Sequence, residues 1–192
     1  IVASNDLDER VISSLKQQGA TIGVWGVGTK LATAYEQPAL GGVYKLAAIR
    51  EPQGQWKPKV KLSEQAVKTS TPGAQQVRRY WDNHNCGDVI YNVDTDLSKG
   101  CIIVDPLNPM RRKKLSADLK HEDLLMPIYR HGKLIYTPPE AKEIRERVKE
   151  QLARFHGGVK RLVNPHEYPA GLEKSLYDLK MKLILEARGF EE

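Results

Sequence analysis

The chain contains 192 residues, of which 40% are hydrophobic and 28% charged, with a formal net charge of +6 and a sequence isoelectric point of about 9.2. This length and apolar content allow a buried core in one or two domains. No run approaches the roughly 18 apolar residues of a transmembrane helix, so we predict no membrane partner. The two cysteines, Cys86 and Cys101, lack metal-ligand spacing and are interpreted as reduced thiols of a cytoplasmic protein.

The beginning of the chain predicts a strand, a helix and a second strand. A short apolar run at residues 1–3 ends in Ser4 and Asn5, and an amphipathic helix follows until Gly19 stops it. Asn5 or Asp6 is predicted to cap this helix. Strands joined through a helix pair in parallel, and parallel sheets in α/β folds bind ligands at the carboxyl ends of their strands.

The second strand of this unit ends in a glycine-rich turn that contains Gly26, Gly28 and Thr29. Glycines let the backbone approach an anion closely, and successive N–H groups with a hydroxyl can donate to phosphate oxygens. Taken alone, the pattern is more typical of a plain tight turn. Because Ser4 and Asn5 are expected at the same sheet edge, these five residues together form the predicted phosphate site.

A third strand is predicted after the glycine pair Gly41-Gly42, from Val43 to Ile49. Its alternation places Lys45 on the face opposite to Tyr44, as a positive charge near the phosphate loops. An ordinary solvated lysine is the other interpretation.

A polar connector at residues 51–55 separates this region from a different organisation. Short β-prone runs bounded by turn signals predict an antiparallel β-rich module. The clearest runs are 76–81, 88–93, 101–104, 124–129 and 133–136. Two amphipathic helices are predicted to follow, from about Pro139 to Phe155 with Thr137 as the cap, and from Leu172 to Ala187.

The densest basic run, from Arg111 to Lys114, follows a turn-rich stretch and is interpreted as a solvated loop. Few aromatic residues surround it, so we predict no nucleic-acid partner.

The five histidines do not show the spacing of metal ligands, and His166 is interpreted as structural.

Six segments of the chain resemble, in order and at similar spacing, the motifs of the nicotinate phosphoribosyltransferase family. They are residues 3–9 (ASNDLDE), 25–29 (WGVGT), 38–46 (PALGGVYKL), 59–64 (KVKLSE), 68–73 (KTSTPG) and 160–168 (KRLVNPHEY). The resemblance extends over nearly the whole chain and is strongest over residues 1–73.

The resemblance implies an α/β fold: the carboxyl-terminal piece of an irregular, TIM-like α/β barrel in residues 1–50, then a β-rich region with two helices in residues 51–192. It implies an enzyme of NAD salvage that transfers phosphoribosyl from phosphoribosyl pyrophosphate (PRPP) to nicotinate, with coupling to ATP hydrolysis and a requirement for Mg²⁺. In that setting Thr29, Gly28 and Gly26 would hold a phosphate of PRPP, and Ser4 and Asn5 would lie near its ribose or phosphate.

The sequence also departs from the family pattern. Family members are about twice as long or longer, and the phosphorylated histidine and the nicotinate-binding arginine lie in motifs that would precede Ile1. We therefore expect a carboxyl-terminal portion of a longer polypeptide, with the catalytic residues upstream, no transferase activity alone, and contact with the missing portion or with a second subunit in a homodimer. A nicotinamide or quinolinate phosphoribosyltransferase and a non-enzymatic basic binding module remain the alternatives.

Overall fold

The computed structural model describes residues 1–190 and has an α/β fold. The chain forms two compact units: unit 1 contains Ile1–Tyr44 and Arg161–Pro165, and unit 2 contains Lys45–Lys160 and the residues from His166 onward. The elements, in chain order, are β1 (Val2–Ser4), α1 (Glu9–Gln17), β2 (Val24–Gly26), α2 (Thr29–Ala32), β3 (Ala48–Ile49), β4 (Lys57–Pro58), a 3₁₀ turn (Ala66–Lys68), β5 (Gln75–Trp81), β6 (Asn85–Asn92), β7 (Cys101–Val104), β8 (Arg112–Leu115), β9 (Lys120–Asp123), β10 (Tyr129–Arg130), β11 (Lys133–Leu134), α3 (Ala141–Ala153), β12 (Ala170–Glu173) and α4 (Lys174–Ala187).

Unit 1 contains the predicted strand–helix–strand arrangement, with β1 and β2 paired in parallel. The predicted helix cap is wrong, because Asn5 and Asp6 both have positive φ, 82° and 46°, and the helix begins only after them. Asp8 is the cap instead, and its Oδ1 accepts a hydrogen bond from the Val11 backbone N–H at 2.7 Å. Gly19, with φ 80°, follows the end of the helix as predicted.

The third predicted strand is shorter than expected and does not extend the parallel pair. Only Ala48 and Ile49 adopt strand structure, and they pair antiparallel with β4 in unit 2. Val43 and Tyr44 are fully or largely exposed. Alternation alone therefore did not produce a strand here, because a strand also needs a neighbouring backbone to complete its hydrogen bonds.

Unit 2 is built on a six-stranded sheet with the order β8-β7-β12-β6-β5-β9. The prediction of a purely antiparallel module is wrong in one respect, because β12 pairs in parallel with β6, whereas its pairing with β7 is antiparallel. The last strand in the sequence thus fills the space between two earlier strands. Short strand pairs β3–β4 and β10–β11 complete the unit.

The basic run is not a loop as predicted. Residues Arg112–Leu115 form β8, which pairs antiparallel with β7. The strand alternates exposure along its length, and Leu115 at its end is buried in the core. A basic strand is possible because β8 is an edge strand, where charged residues discourage pairing with further strands.

The core of unit 2 consists of residues from β5, β6, β7, β8 and the loop before β7, namely Tyr80, Val89, Tyr91, Leu97, Cys101, Ile103 and Leu115. Among the aromatic residues of this unit, Tyr80 and Tyr91 are buried, whereas Trp56 and Tyr129 are mostly exposed. Both cysteines are free thiols, as predicted.

Both predicted helices of the carboxyl-terminal region are present. A capping box at Glu140 and Glu143 opens α3, so the predicted cap at Thr137 is wrong. The second helix begins two residues later than predicted because Leu172 and Glu173 belong to β12. Glu173 then caps α4 through its Oε2.

Within the described residues, every helix is too short or too polar to cross a bilayer.

Alkaline pH is expected to destabilise unit 2 through its buried phenols. Burial raises the pKa of Tyr80 to about 12 from an ordinary value of 10.0. Between these values the unfolded chain loses a proton that the folded chain retains, so the free energy of unfolding falls as pH rises. Urea denaturation followed by circular dichroism from pH 9 to pH 12 measures this slope, and Tyr80→Phe should make it shallower. An unchanged slope in Tyr80→Phe would contradict the assignment.

Candidate phosphate-binding site

The carboxyl ends of β1 and β2 bring two of the five predicted site residues together. Ser4 is the register partner of Gly26 in the parallel pair. A Cβ atom at Gly26 would lie 3.2 Å from Ser4 Oγ and 3.3 Å from Ser4 Cβ. This spacing is tighter than ordinary van der Waals contact, so glycine is the residue that best fits beside the serine hydroxyl.

Gly28 and Thr29 form the turn that leads from β2 into α2. The Gly28 carbonyl accepts hydrogen bonds from the backbone N–H groups of Leu31 at 3.1 Å and Ala32 at 3.0 Å. The N–H groups of Thr29 and Lys30 precede these bonds, so the helix does not consume them. No heavy atom would lie within 4 Å of a Cβ at Gly28, and Gly28 and Thr29 are both exposed. The turn is therefore exposed, with open space where a side chain at Gly28 would lie.

Asn5 lies directly beyond Ser4 and is exposed. Asn5 and Asp6 are consecutive residues in the left-handed region, which asparagine and aspartate tolerate better than other non-glycine residues. This pair turns the chain from β1 into α1. The structure thus places Asn5 at the end of the strand that carries Ser4, at the sheet edge predicted from the sequence.

An ion pair that the sequence reasoning missed fixes the turn after β2 to the start of α1. Lys30 Nζ lies 2.5 Å from Asp8 Oδ2. The hydrogen bond from Lys30 lowers the pKa of Asp8, and the same bond raises the pKa of Lys30. The Lys30 ammonium also lies 5.8 Å from the centroid of the Tyr35 ring. The position of Asp8, three residues before Val11, is typical of a helix cap. Its ion-pair partner Lys30 lies 22 positions away in the sequence, and no local pattern indicates that pairing.

The cavity of unit 1 does not coincide with the predicted residues. It has a volume of about 500 Å³ and is lined by residues of α1, α2 and the segment after α2. Asp8, Lys30 and Tyr35 contribute to it, whereas Ser4, Asn5, Gly26, Gly28 and Thr29 do not. The predicted residues lie instead at the carboxyl ends of β1 and β2 and in the turns that follow these strands. A ligand held there would contact an exposed surface.

A metal centre is not evident in the part of the chain that the structure describes. Among residues 1–190, no group of three or more histidine, cysteine, aspartate or glutamate side chains is arranged to hold a metal ion. All five histidines fall between residues 84 and 166 and belong to unit 2. Around the turn after β2, unit 1 supplies hydrogen-bond donors and the paired Lys30, which can bind and orient an anion.

The parallel strand–helix–strand unit and the six-stranded sheet place the chain in the α/β class of folds. Residues 74–180 match the model of the nicotinate phosphoribosyltransferase C-terminal domain. Because this match covers more than half of the chain, the chain belongs to the nicotinate phosphoribosyltransferase family. The family resemblance seen in the motifs is thereby confirmed.

Relatives from distant organisms align over nearly the whole chain. The nicotinate phosphoribosyltransferase of Bacillus subtilis (strain 168) is 39% identical over 98% of the chain, and that of Dictyostelium discoideum is 32% identical over 100% of it. The crystal structure of human nicotinic acid phosphoribosyltransferase matches 96% of the chain with a TM-score of 0.65 and 26% identity. The chain spans 39%, 34% and 33% of the lengths of these three proteins, respectively.

Proposed function

We propose that this chain is the carboxyl-terminal part of an enzyme that transfers phosphoribosyl from PRPP to nicotinate. The products are nicotinate mononucleotide and pyrophosphate, as a step of NAD salvage. The observation that carries this proposal is the family match over residues 74–180, together with relatives of that name that align over nearly the whole chain. The chain's partial coverage of those relatives is why the catalytic residues are sought in the rest of the enzyme.

In this proposal the loops of unit 1 hold a phosphate of PRPP, most simply the 5′-phosphate. The backbone N–H groups at Gly28 and Thr29 and the Thr29 hydroxyl donate hydrogen bonds to it, and Ser4 and Asn5 lie beside the ribose. Departure of pyrophosphate develops positive charge on the sugar, so much of the catalysis consists of holding anions and orienting two reactants. The open turn and the close pairing of Gly26 with Ser4 support this role.

ATP and Mg²⁺ complete the proposal for the whole enzyme. The described residues do not fit a protein-held metal, because they form no suitable cluster of ligands. We accordingly assign neither the ATP-coupling residues nor a metal ligand to residues 1–190. The fold proposed for the parent enzyme is a TIM-like barrel, of which β1, α1 and β2 are one parallel unit.

Contact with further polypeptide is also proposed, either with the remainder of the enzyme or with a second subunit of a homodimer in the cytoplasm. The apolar face of α3 supports this. Ile144, Val148 and Leu152 recur at four-residue spacing and are 48%, 51% and 52% exposed. Amphipathic helices bury such a stripe in a folded assembly.

The two alternatives are less well supported. A nicotinamide or quinolinate enzyme would differ in the pyridine pocket, and the relatives found carry the nicotinate name. A basic binding module would need free cations, but two of the four cations in the basic run are already engaged: Arg111 forms an ion pair with Glu167, and Lys113 Nζ donates to the Cys86 carbonyl at 2.6 Å.

A chimaera tests the function directly. This chain would replace the aligned region of the Bacillus subtilis relative, and product formation would be followed by chromatography with nicotinate, nicotinamide or quinolinate as the base. We expect nicotinate mononucleotide from the chimaera, dependent on PRPP and ATP, and no turnover from the chain alone. Turnover with another base, or turnover by the chain alone, would overturn the proposal.

In the same chimaera, Thr29→Val is expected to weaken PRPP binding by about tenfold, because valine keeps the shape of the side chain but removes the donor. The measurement is the KM for PRPP, with kcat recorded separately. Thr21→Val is the matched control, since Thr21 is exposed and precedes β2 in the same unit. Equal KM values for Thr29→Val and the control would remove Thr29 from the site.

A further inference from the structure

Unit 2 contains a polar cavity beside its edge strand β9. The cavity has a volume of about 410 Å³ and is lined by residues of β5, β9, the loop between β6 and β7, and the turn before β9. Small-molecule sites in proteins commonly have volumes of about 300–1,000 Å³. Arg78 and Tyr80 lie two residues apart on β5 and therefore share a face of the sheet. His121 on β9 is the register partner of Tyr80, and the centroids of these two rings are 5.5 Å apart.

The Tyr80 hydroxyl is buried without a hydrogen-bond partner. Tyr80 is 1% exposed, and among residues 1–190 no atom accepts from its hydroxyl or donates to it. Cys101 and Arg78 both affect the pKa of this hydroxyl and are thus its neighbours, but neither completes a hydrogen bond to it. Because burial raises that pKa to about 12, the hydroxyl keeps its proton near neutral pH. A buried donor without an acceptor costs free energy, which a ligand oxygen would recover.

The Arg78 guanidinium is held in place and retains a nitrogen for a ligand. Its Nε donates to Asp123 Oδ1 at 2.7 Å, and its Nη2 donates to Asp123 Oδ2 and to the Tyr91 hydroxyl, both at 3.0 Å. These bonds fix the plane of the guanidinium, and they leave Nη1 without a hydrogen bond in the part of the chain that the structure describes. Since Asp123 neutralises Arg78, the cavity gains donors from this side chain without a net positive charge.

Two other side chains of the lining supply acceptors. His121 Nδ1 lies 3.3 Å from the Leu119 carbonyl, which only accepts, so Nδ1 carries the proton and Nε2 of the neutral ring is an acceptor. Asp96 accepts from the Ser98 N–H at 2.8 Å and from Ser98 Oγ at 3.0 Å, and these bonds lower the pKa of Asp96. Asp96 is therefore ionised near neutral pH and adds a negative charge to the lining.

We infer that this cavity binds a neutral ligand that carries a carbonyl and an N–H group side by side, as an aromatic carboxamide or a nucleobase does. The carbonyl oxygen accepts from Arg78 Nη1 and from the Tyr80 hydroxyl, and the N–H group donates to His121 Nε2. A carboxylate of the same shape is disfavoured, because Arg78 is already neutralised and Asp96 repels an anion. The site lies wholly in unit 2 and is independent of the proposed phosphate loop at Thr29.

The test is an NMR titration of the chain with benzamide, uridine and benzoate, followed through the backbone ¹H–¹⁵N resonances. Benzamide represents the carboxamides, uridine represents the nucleobases, and benzoate is the carboxylate counterpart of benzamide. We expect benzamide or uridine to give saturable shifts in β5, β9 and residues 95–98, and benzoate to bind at least about tenfold more weakly than benzamide. The absence of saturable shifts there with both neutral ligands would overturn the inference, as would binding of benzoate as tight as that of benzamide.

Tyr80→Phe identifies the contribution of the hydroxyl. The variant should raise the apparent Kd of the bound neutral ligand about fivefold, because one hydrogen bond is lost. It should not lower the Tm of the free chain, because the hydroxyl has no partner within the described residues to lose.

Tyr129→Phe is the matched control, since Tyr129 belongs to the same unit and is 65% exposed, and it should change neither quantity. An unchanged Kd in Tyr80→Phe would exclude the hydroxyl from the site. A lower Tm of ligand-free Tyr80→Phe would show that the hydroxyl is already engaged within the protein. Either result contradicts the inference.

Discussion

Gly171→Ala is expected to lower the free energy of unfolding by about 3 kcal/mol, the upper part of the range for overpacking in a protein interior. Gly171 lies in β12, the strand inserted between β6 and β7, and its register partner on β6 is Val89. A Cβ at this position would lie 2.3 Å from the Val104 carbonyl oxygen and 3.0 Å from Ile103 Cγ2. The clash is with the backbone of a neighbouring strand, so a side-chain rotation cannot relieve it.

The measurement is urea denaturation of the chain followed by circular dichroism, with the m-value checked for a change in the denatured state. Gly157→Ala is the matched control, because no heavy atom lies within 4 Å of a Cβ there and its φ is not positive. We expect the control to change stability by less than about 1 kcal/mol. Similar losses in the two variants would show that β12 is not packed as tightly as the structure indicates.

Asp88→Ala is expected to destabilise the protein by about 3 kcal/mol, because it leaves a largely buried arginine without its counter-charge. The Asp88 carboxylate accepts hydrogen bonds from Arg79 Nε at 2.9 Å and from an Arg79 terminal nitrogen at 2.6 Å. Tyr168 also donates to it at 2.9 Å. The Arg79 guanidinium in turn donates to Gln151 of α3 and lies 5.2 Å from the Phe155 ring centroid. This carboxylate thus connects β5, β6 and the end of α3.

The exposed pair between Lys149 and Glu146 is the control, since both side chains are more than half exposed and the pair spans one helical turn. Glu146→Ala should change the free energy of unfolding by less than about 1 kcal/mol. The double variant Arg79→Met/Asp88→Leu should recover part of the loss, because the unpaired charge is then absent. A small effect of Asp88→Ala, equal to that of Glu146→Ala, would show that solvent reaches this pair.

Local patterns in the sequence predicted several elements correctly. The strand–helix–strand of unit 1, the strands β5, β6 and β7, and both carboxyl-terminal helices follow from periodicity within about 10–15 residues. The cap of α1 was misassigned because the sequence offers three suitable side chains in Asn5, Asp6 and Asp8. Only backbone conformation distinguishes them, since the first two adopt positive φ.

The candidate phosphate site was predictable in part. Ser4 and Gly26 are adjacent because each ends a strand of a parallel pair, and the pair was evident from the sequence. The Asp8–Lys30 ion pair was not, because neither residue carries a pattern that names a partner 22 positions away. The hydrogen bond from Lys180 to the Thr69 carbonyl in unit 2 was still less evident, because the two residues are 111 positions apart.

The sequence by itself determined the family, the parallel unit at the amino-terminal end and the presence of the two last helices, because motif order, alternation and helical spacing are properties of neighbouring residues. Only the tertiary structure decided that β12 enters the sheet between β6 and β7, that the basic run becomes the edge strand β8, and that Lys30 pairs with Asp8. Strand order and charge proximity depend on which distant backbones complete each other's hydrogen bonds and bury each other's apolar faces. Those pairings join segments that are far apart in the chain. The local preferences of one segment do not indicate which distant segment it will pair with.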